Sequence, residues 1–558
     1  MSRRIRMQIV ITVFSSMLVL GLMAYVAVTR AAVSRPIEGG AYIEGIPGIP
    51  TTLNPLVSDT TSDLAAADVH AMIFDGLVRV GLDGSFEPAL AEKWDIDASG
   101  MVYTFTLRPN VTWHDGQPFG VDDVLFTLRS VQGPAFTGSP SLATVWRTVL
   151  VERAGDMSIR CKLQAPFAPF LKYATLPIVP AHLLADIPPE QWANSAFSQK
   201  PIGTGPYKIT DINADAIALA SNPDYYLGRP LIDTITLRFY QDESLAFAAL
   251  TRGEVSGLAF VGTGALGAYQ TPRGVVRRTI NIDSYTVLSF NLRNAPFDDV
   301  IFRRQIAQAI DREDMIKRLL PDRATRIDTP ILPGWWAYNP EAVWYMPSKE
   351  RAAQGLDTLG YVAGDDGFRS RDGRPLAFEL LVDGAADRKM VADDIAQQLG
   401  EVGIAVTVTV LDADTLRQRL EAGEFDIALH GWQRLGPDPD VYELWHSSQV
   451  NIGRNYAGLQ DQVVDDALSL ARVQVDQEAR TQLYHEFQQQ WIDLAPSIIM
   501  YQPLEVYATV SDLGGTALTQ RTDMPGMMNV MFGRDSRFRN LTHWFVARSK
   551  EISGDIQP

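Results

Sequence analysis

Residues 376–432 read LAFELLVDGAADRKMVADDIAQQLGEVGIAVTVTVLDADTLRQRLEAGEFDIALHGW, and this stretch decides the fold. The apolar run LAFELLV fits a buried strand ending at Asp383. Val391, Ile395, Leu399 and Val402 then recur at helical spacing, and Gly403 suits a helix end. Val406, Val408 and Val410 alternate with Thr407 and Thr409, which is the period of a strand. A shorter helix from Asp414 to Ala422 stops at Gly423, and FDIALHGW supplies a third strand. Strand, helix, strand, helix, strand at this spacing implies right-handed crossovers and a parallel sheet covered on both faces. Ligands of such open α/β sheets bind beyond the carboxyl ends of the strands. That rule points at Trp432, Gln433 and Arg434, at the end of the third strand.

Working outward, YTVLSFNL from Tyr285 to Leu292 reads as a strand entering this α/β region, so a lobe begins near residue 285. Two helices follow between Asp298 and Leu320, with Asp298 or Asp299 capping the first and Asp311 the second. Residues 29–40 read as a polar linker, and neither a short-period repeat nor a low-complexity segment interrupts the rest.

At 558 residues the chain is too long for one compact core and calls for two or three domains. Its 46% hydrophobic and 21% charged residues are those of a folded protein. A net charge of −17, with no basic run outside the N-terminus, argues against nucleic acid. The single Cys161 rules out an intrachain disulfide and a structural cysteine–zinc site. Arg3, Arg4 and Arg6 precede an uncharged run from Met7 to Val28. Residues 1–28 are therefore a membrane anchor or a cleaved signal peptide, and both put the remainder outside the cytoplasmic membrane.

Several segments, in this order, resemble the peptide-binding family of bacterial extracellular solute-binding proteins, which includes oligopeptide-, dipeptide- and nickel-binding members. They are TTLNPL (51–56), residues 73–128, LPIVPAHLL (176–184), PIGTGPYKI (201–209), and residues 222–255, 290–316, 423–440 and 480–501. The resemblance covers nearly everything from about residue 50 to 510. It implies an α/β, two-lobed periplasmic-binding-protein-like fold (type II) with an extra α+β subdomain on lobe 1. Residues 41–56, 202–284 and 495–547 would form lobe 1, 57–201 the subdomain, 285–494 lobe 2 and 548–558 a tail. It further implies a monomeric substrate-binding component of an ABC importer. Such a protein encloses a peptide, or another small oligomeric solute, between its lobes and delivers it to membrane permease subunits. A membrane-tethered sensor for an oligosaccharide or an anionic solute is the alternative. No enzyme, cofactor or metal site is expected: the sequence lacks H-E-x-x-H and G-x-S-x-G, and GTGP at Gly203–Pro206 lacks the Lys-Ser/Thr of a nucleotide loop.

The candidate ligand-binding residues are Trp432, Gln433 and Arg434 with Trp335, Trp336, Asn455 and Tyr456 on lobe 2, Asn54 on lobe 1 and Tyr285 at the crossing. Asp438 and Asp440 are read as turn-formers. His114 and Asp115 are adjacent and point apart, so they make no acid–base pair. Peptide-binding relatives carry an aspartate for the ligand's amino group where this chain has Leu435, and some carry an arginine where it has Leu429. Exchange of buried charges for leucine implies a ligand of different charge there. Leu435→Asp is expected to create affinity for peptides with a free amino terminus.

Overall fold

A computed structural model of the protein describes residues 14–17, 32–58, 63–81, 84–261, 272–344, 346–433, 435–516, 530–531 and 534–552. The stretch 376–432 folds as its periodicity predicts. Strands Ala377–Asp383, Ala405–Leu411 and Ile427–Gln433 are parallel, in the order 405–411, 377–383, 427–433. The intervening helix Ala386–Gly400 turns Val391, Ile395 and Leu399 into the core below them. The second helix, Ala413–Ala422, is capped by Asp412, whose carboxylate accepts from Thr415 N, and ends at Gly423 in the left-handed conformation (φ 68°). Asp299 and Asp311 cap helices Val300–Ala309 and Arg312–Leu319.

The strand Ser284–Phe290 pairs antiparallel with 427–433 and is buried along its whole length. Both of its faces are covered, by Val287 on one side and Leu288 and Phe290 on the other packing into two different core clusters. On its other side lies the long strand Ser497–Val510, which carries the sheet from one lobe into the other. Its first half pairs with 284–290 and its second half with Val275–Ile282. Beyond it the lobe 1 strands run Gly257–Val261, Ala41–Pro47, Thr234–Tyr240, Ala216–Ser221 and Tyr207–Ile212. The chain thus crosses between lobes at Asp283 and near Gln502, whose side-chain amide donates to Ile282 O at 2.7 Å. Backbone pairing of the strand Ser497–Val510 with 284–290 continues as far as Tyr501.

The subdomain carries a four-stranded antiparallel sheet in the order Ala91–Ile96, Val102–Leu107, Ser158–Lys162, Leu150–Gly155. It joins lobe 1 through GTGP. A Cβ at Gly203 would lie 1.9 Å from Ile73 O and one at Gly205 2.5 Å from Ile73 C, so only glycine lets the two chains touch. Within the segments expected as linker and tail, Ala32–Pro36 and Arg548–Ile552 make a two-stranded antiparallel ribbon. The anchor or signal expected over 1–28 falls almost wholly outside the described residues. Among the described residues no helix is long and apolar enough to cross a membrane.

Candidate functional site

At the carboxyl edge of the lobe 2 sheet, Trp432 stacks on Tyr456 with ring centroids 5.2 Å apart and planes at 26°. The Arg454 guanidinium lies 5.8 Å from the Trp432 ring. Behind them His430 is buried, with Nε2 2.9 Å from Ser289 Oγ. Burial, followed by the charge of Arg388, pushes its pKa down to about 3 and keeps the ring neutral. Arg388 makes a forked pair with Asp383 at the end of the neighbouring strand (Nε–Oδ1 2.8 Å, Nη2–Oδ2 2.5 Å). The parallel-sheet rule therefore brings Trp432 and Tyr456 together with a charged pair that the sequence pattern does not single out.

Other candidates serve different ends. Gln433 is exposed at the strand terminus, and Arg434 lies outside the described residues. Tyr285 is buried opposite Trp432 in the sheet and belongs to the lobe 2 core, as does Trp335, which is 4% exposed. Both rings are packed in that core. Asn455 is spent on its own loop: Nδ2 donates to His446 O (3.1 Å) and Leu459 O (2.9 Å), while Oδ1 accepts from Gly458 N and Leu459 N. Asn54 is buried, its Oδ1 accepting from Leu56 N at 3.0 Å to close a turn. Trp336 reaches a small cavity of about 190 Å³ between subdomain and lobe 2. There Arg480 lies 5.1 Å from its ring and grips the buried Asp438 through two bonds of 2.8 and 3.0 Å. Asp440 pairs likewise with Arg472. Both aspartates thus pin the loop as well as turn it.

His114 and Asp115 point apart as expected. His114 faces the GTGP crossing, with Nε2 3.0 Å from Gly205 O, and Asp115 contacts His182.

A larger cavity, about 470 Å³, lies where the bodies meet. Pro55, Leu56 and the C-terminal residues around Phe538 wall it from lobe 1. Ser58, the helix Leu64–Ile73, Leu142 and Leu176 contribute from the subdomain, and Pro437 from lobe 2. Sequence reasoning missed the polar side chains of this wall, among them Ser58, His70, Asp75, Arg79, Asp535 and Arg539. His70 is pushed down to about 4 by burial and is neutral at pH 7. Burial pushes Asp75 up to about 6, and the Tyr225 hydroxyl donates to it at 3.3 Å. Arg79 is tied to Glu87 by bonds of 3.0 and 2.8 Å. The one signal in the sequence is a histidine and two aspartates, Asp68 and Asp75, on an otherwise apolar segment, LAAADVHAMIFDGL.

On the lobe 2 side, Leu435 is half-buried, and its carbonyl accepts from Lys172 Nζ of the subdomain at 3.2 Å. Arg472 bridges the same divide, 3.8 Å from the Tyr442 ring of lobe 2 and 5.6 Å from Phe167 of the subdomain.

Two α/β lobes sharing one continuous sheet, with an apolar-walled cavity at their junction, define a receptor for a solute. The chain belongs to the bacterial extracellular solute-binding proteins, family 5: the model of that family's middle region matches residues 85–453. This is a family of binding proteins, not of enzymes. The chain is 27% identical over 508 residues to oligopeptide-binding protein AppA of Bacillus subtilis (strain 168), covering 89% of this chain and 92% of that one. It is 29% identical over 462 residues to di/tripeptide-binding protein 2 of Pseudomonas aeruginosa (strain UCBPP-PA14), covering 77% and 83% respectively. The solved structure of Bacillus subtilis AppA in complex with a nonapeptide superposes with a TM-score of 0.67 at 25% identity, over 92% of this chain and 100% of that chain.

Proposed function

We propose that this protein captures a peptide outside the cytoplasmic membrane and delivers it to the permease of an ABC importer. The cavity of about 470 Å³ carries the reading. It is of the size that encloses a small ligand, its walls are mainly apolar, and lobe 1, the subdomain and lobe 2 all contribute to it. A solute held by all three favours the closed arrangement through its differential affinity for it. Trp432, Tyr456 and Gln433 form the lobe 2 edge over which a longer peptide extends. The run Met7–Val28 supports export or tethering at the outer face of the membrane.

Native mass spectrometry of the protein purified without denaturation tests this. A retained mass that fragments as a peptide is expected. A retained saccharide, or no binding when peptide pools are added back, refutes the peptide reading.

A further inference from the structure

Three polar side chains of the large cavity, His70, Ser58 and Asp75, have unused hydrogen-bonding capacity. His70 is 5% exposed, and its Nε2 lies 3.1 Å from the carbonyl oxygen of Leu53. A carbonyl only accepts, so Nε2 carries the ring proton. In a neutral imidazole Nδ1 is then a lone-pair acceptor. That nitrogen is buried and has no hydrogen-bond partner, and neither has the hydroxyl of Ser58, which is 8% exposed. Both residues line the same cavity. Folded proteins rarely leave buried polar atoms unsatisfied, so such a pair facing one space marks where a ligand or bound water completes the bonding.

The surroundings select the chemistry of the occupant. An unprotonated nitrogen repels the lone pairs of a carboxylate or phosphate. The same wall carries Arg79, Arg539, Asp75 and Asp535, and Asp75 Oδ2 has no hydrogen-bond partner, so both signs of charge border the two acceptors. Leu56, Phe74, Leu142, Leu176 and Phe538 supply apolar wall around the two acceptors.

We infer that His70 Nδ1 and Ser58 Oγ are ligand-binding atoms that accept N–H donors from the bound peptide. The assignment rests on the peptide reading above and places both acceptors on the subdomain side of the cavity.

The probe is an equimolar pool of N-acetylated, C-amidated apolar pentapeptides, titrated calorimetrically into the full chain and into His70→Phe and Ser58→Ala. Phenylalanine keeps the ring bulk and removes the Nδ1 acceptor together with the bond from Nε2 to Leu53 O, and Ser58→Ala removes a hydroxyl with no protein partner. Each variant is expected to melt within a few degrees of the wild type and to bind roughly threefold to tenfold more weakly. Pool peptides methylated at backbone nitrogens should lose affinity for the wild type. Folded variants that bind as tightly as the wild type overturn the assignment alone, and mean that water fills the site. Equal binding of the methylated pool overturns it as well. If the wild type binds none of the pool, the assignment falls, while the peptide reading stands or falls on the retained mass and the peptide add-back.

Discussion

Arg537 lies in the C-terminal segment of lobe 1, fully buried between two equally buried carboxylates. Its Nε and Nη2 each lie 3.0 Å from Glu44 Oε1, and Nη1 is 2.6 Å from Asp68 Oδ1. Glu44 sits on the strand Ala41–Pro47 and Asp68 on the helix Leu64–Ile73, so one guanidinium fastens the end of the chain to two early elements. Arg537→Met keeps the apolar bulk over Phe538, whose ring is 4.0 Å from the guanidinium, but leaves two buried charges without their cation. Removing one partner of a buried ion pair costs about 3–5 kcal/mol, a large share of the ~5–15 kcal/mol that holds a domain together. Glu44 retains a hydroxyl donor in Tyr507 at 3.0 Å, which places the loss toward the lower end. The assay is urea unfolding followed by tryptophan fluorescence, with Trp544, 5.5 Å from Phe538, reporting on this corner. The pH dependence gives a second readout. Burial already raises the pKa of Glu44, and Arg537 opposes that rise, so the variant raises it further. An acid with a raised folded-state pKa binds more protons folded than unfolded, and stability recovers as pH falls through that value. The deficit should therefore shrink from pH 7 to pH 5. A deficit below about 1 kcal/mol, or one that grows on acidification, refutes the reasoning.

Arg480→Ala should free the loop after Trp432 by breaking the buried pair with Asp438, costing about 3 kcal/mol; a shift in melting temperature measures it. His70 and His114, lowered to about 4, and His430, lowered to about 3, stabilise the fold fully above their unfolded value near 6.5. That contribution is lost as pH falls toward 4, while Asp75, raised to about 6, works the opposite way. Melting temperatures should drop steeply from pH 6 to 4, at roughly 3 kcal/mol per pH unit, and less steeply in His430→Asn; a flat profile contradicts this. Leu435→Asp places a carboxylate beside Lys172, so the single substitution should gain little affinity for free-amine peptides. The double variant with Lys172→Ala should gain it, and calorimetry that ranks the two the other way rejects the pairing. Gly203→Ala should destabilise by at least ~1–3 kcal/mol, since its Cβ would lie 1.9 Å from Ile73 O, and denaturant midpoints test it.

What was legible in the sequence is what neighbouring residues decide among themselves. Period-two and period-3.6 patterns, a cap at Asp412 and a left-handed stop at Gly423 are set within a few residues, so local pattern alone specifies the lobe 2 strands and helices. The position of Trp432 at a strand end followed from the same local order. Whether an aromatic faces core or cleft did not, because both environments reward the same apolar ring. Tyr285 and Trp335 fell to the core and Trp336 to a cavity edge. Asn455 showed the same limit among polar residues, since its five hydrogen bonds are all with its own loop. The features that give the junction its character join residues far apart in the chain. Arg537 meets Glu44 across 493 positions, and Lys172 meets Leu435 across 263. His70 and Ser58 acquire their unused acceptors only when Leu53, the subdomain and the C-terminal segment close around them. Local pattern determined the lobes, and tertiary contact decided which polar atoms are buried with nothing of their own to bind.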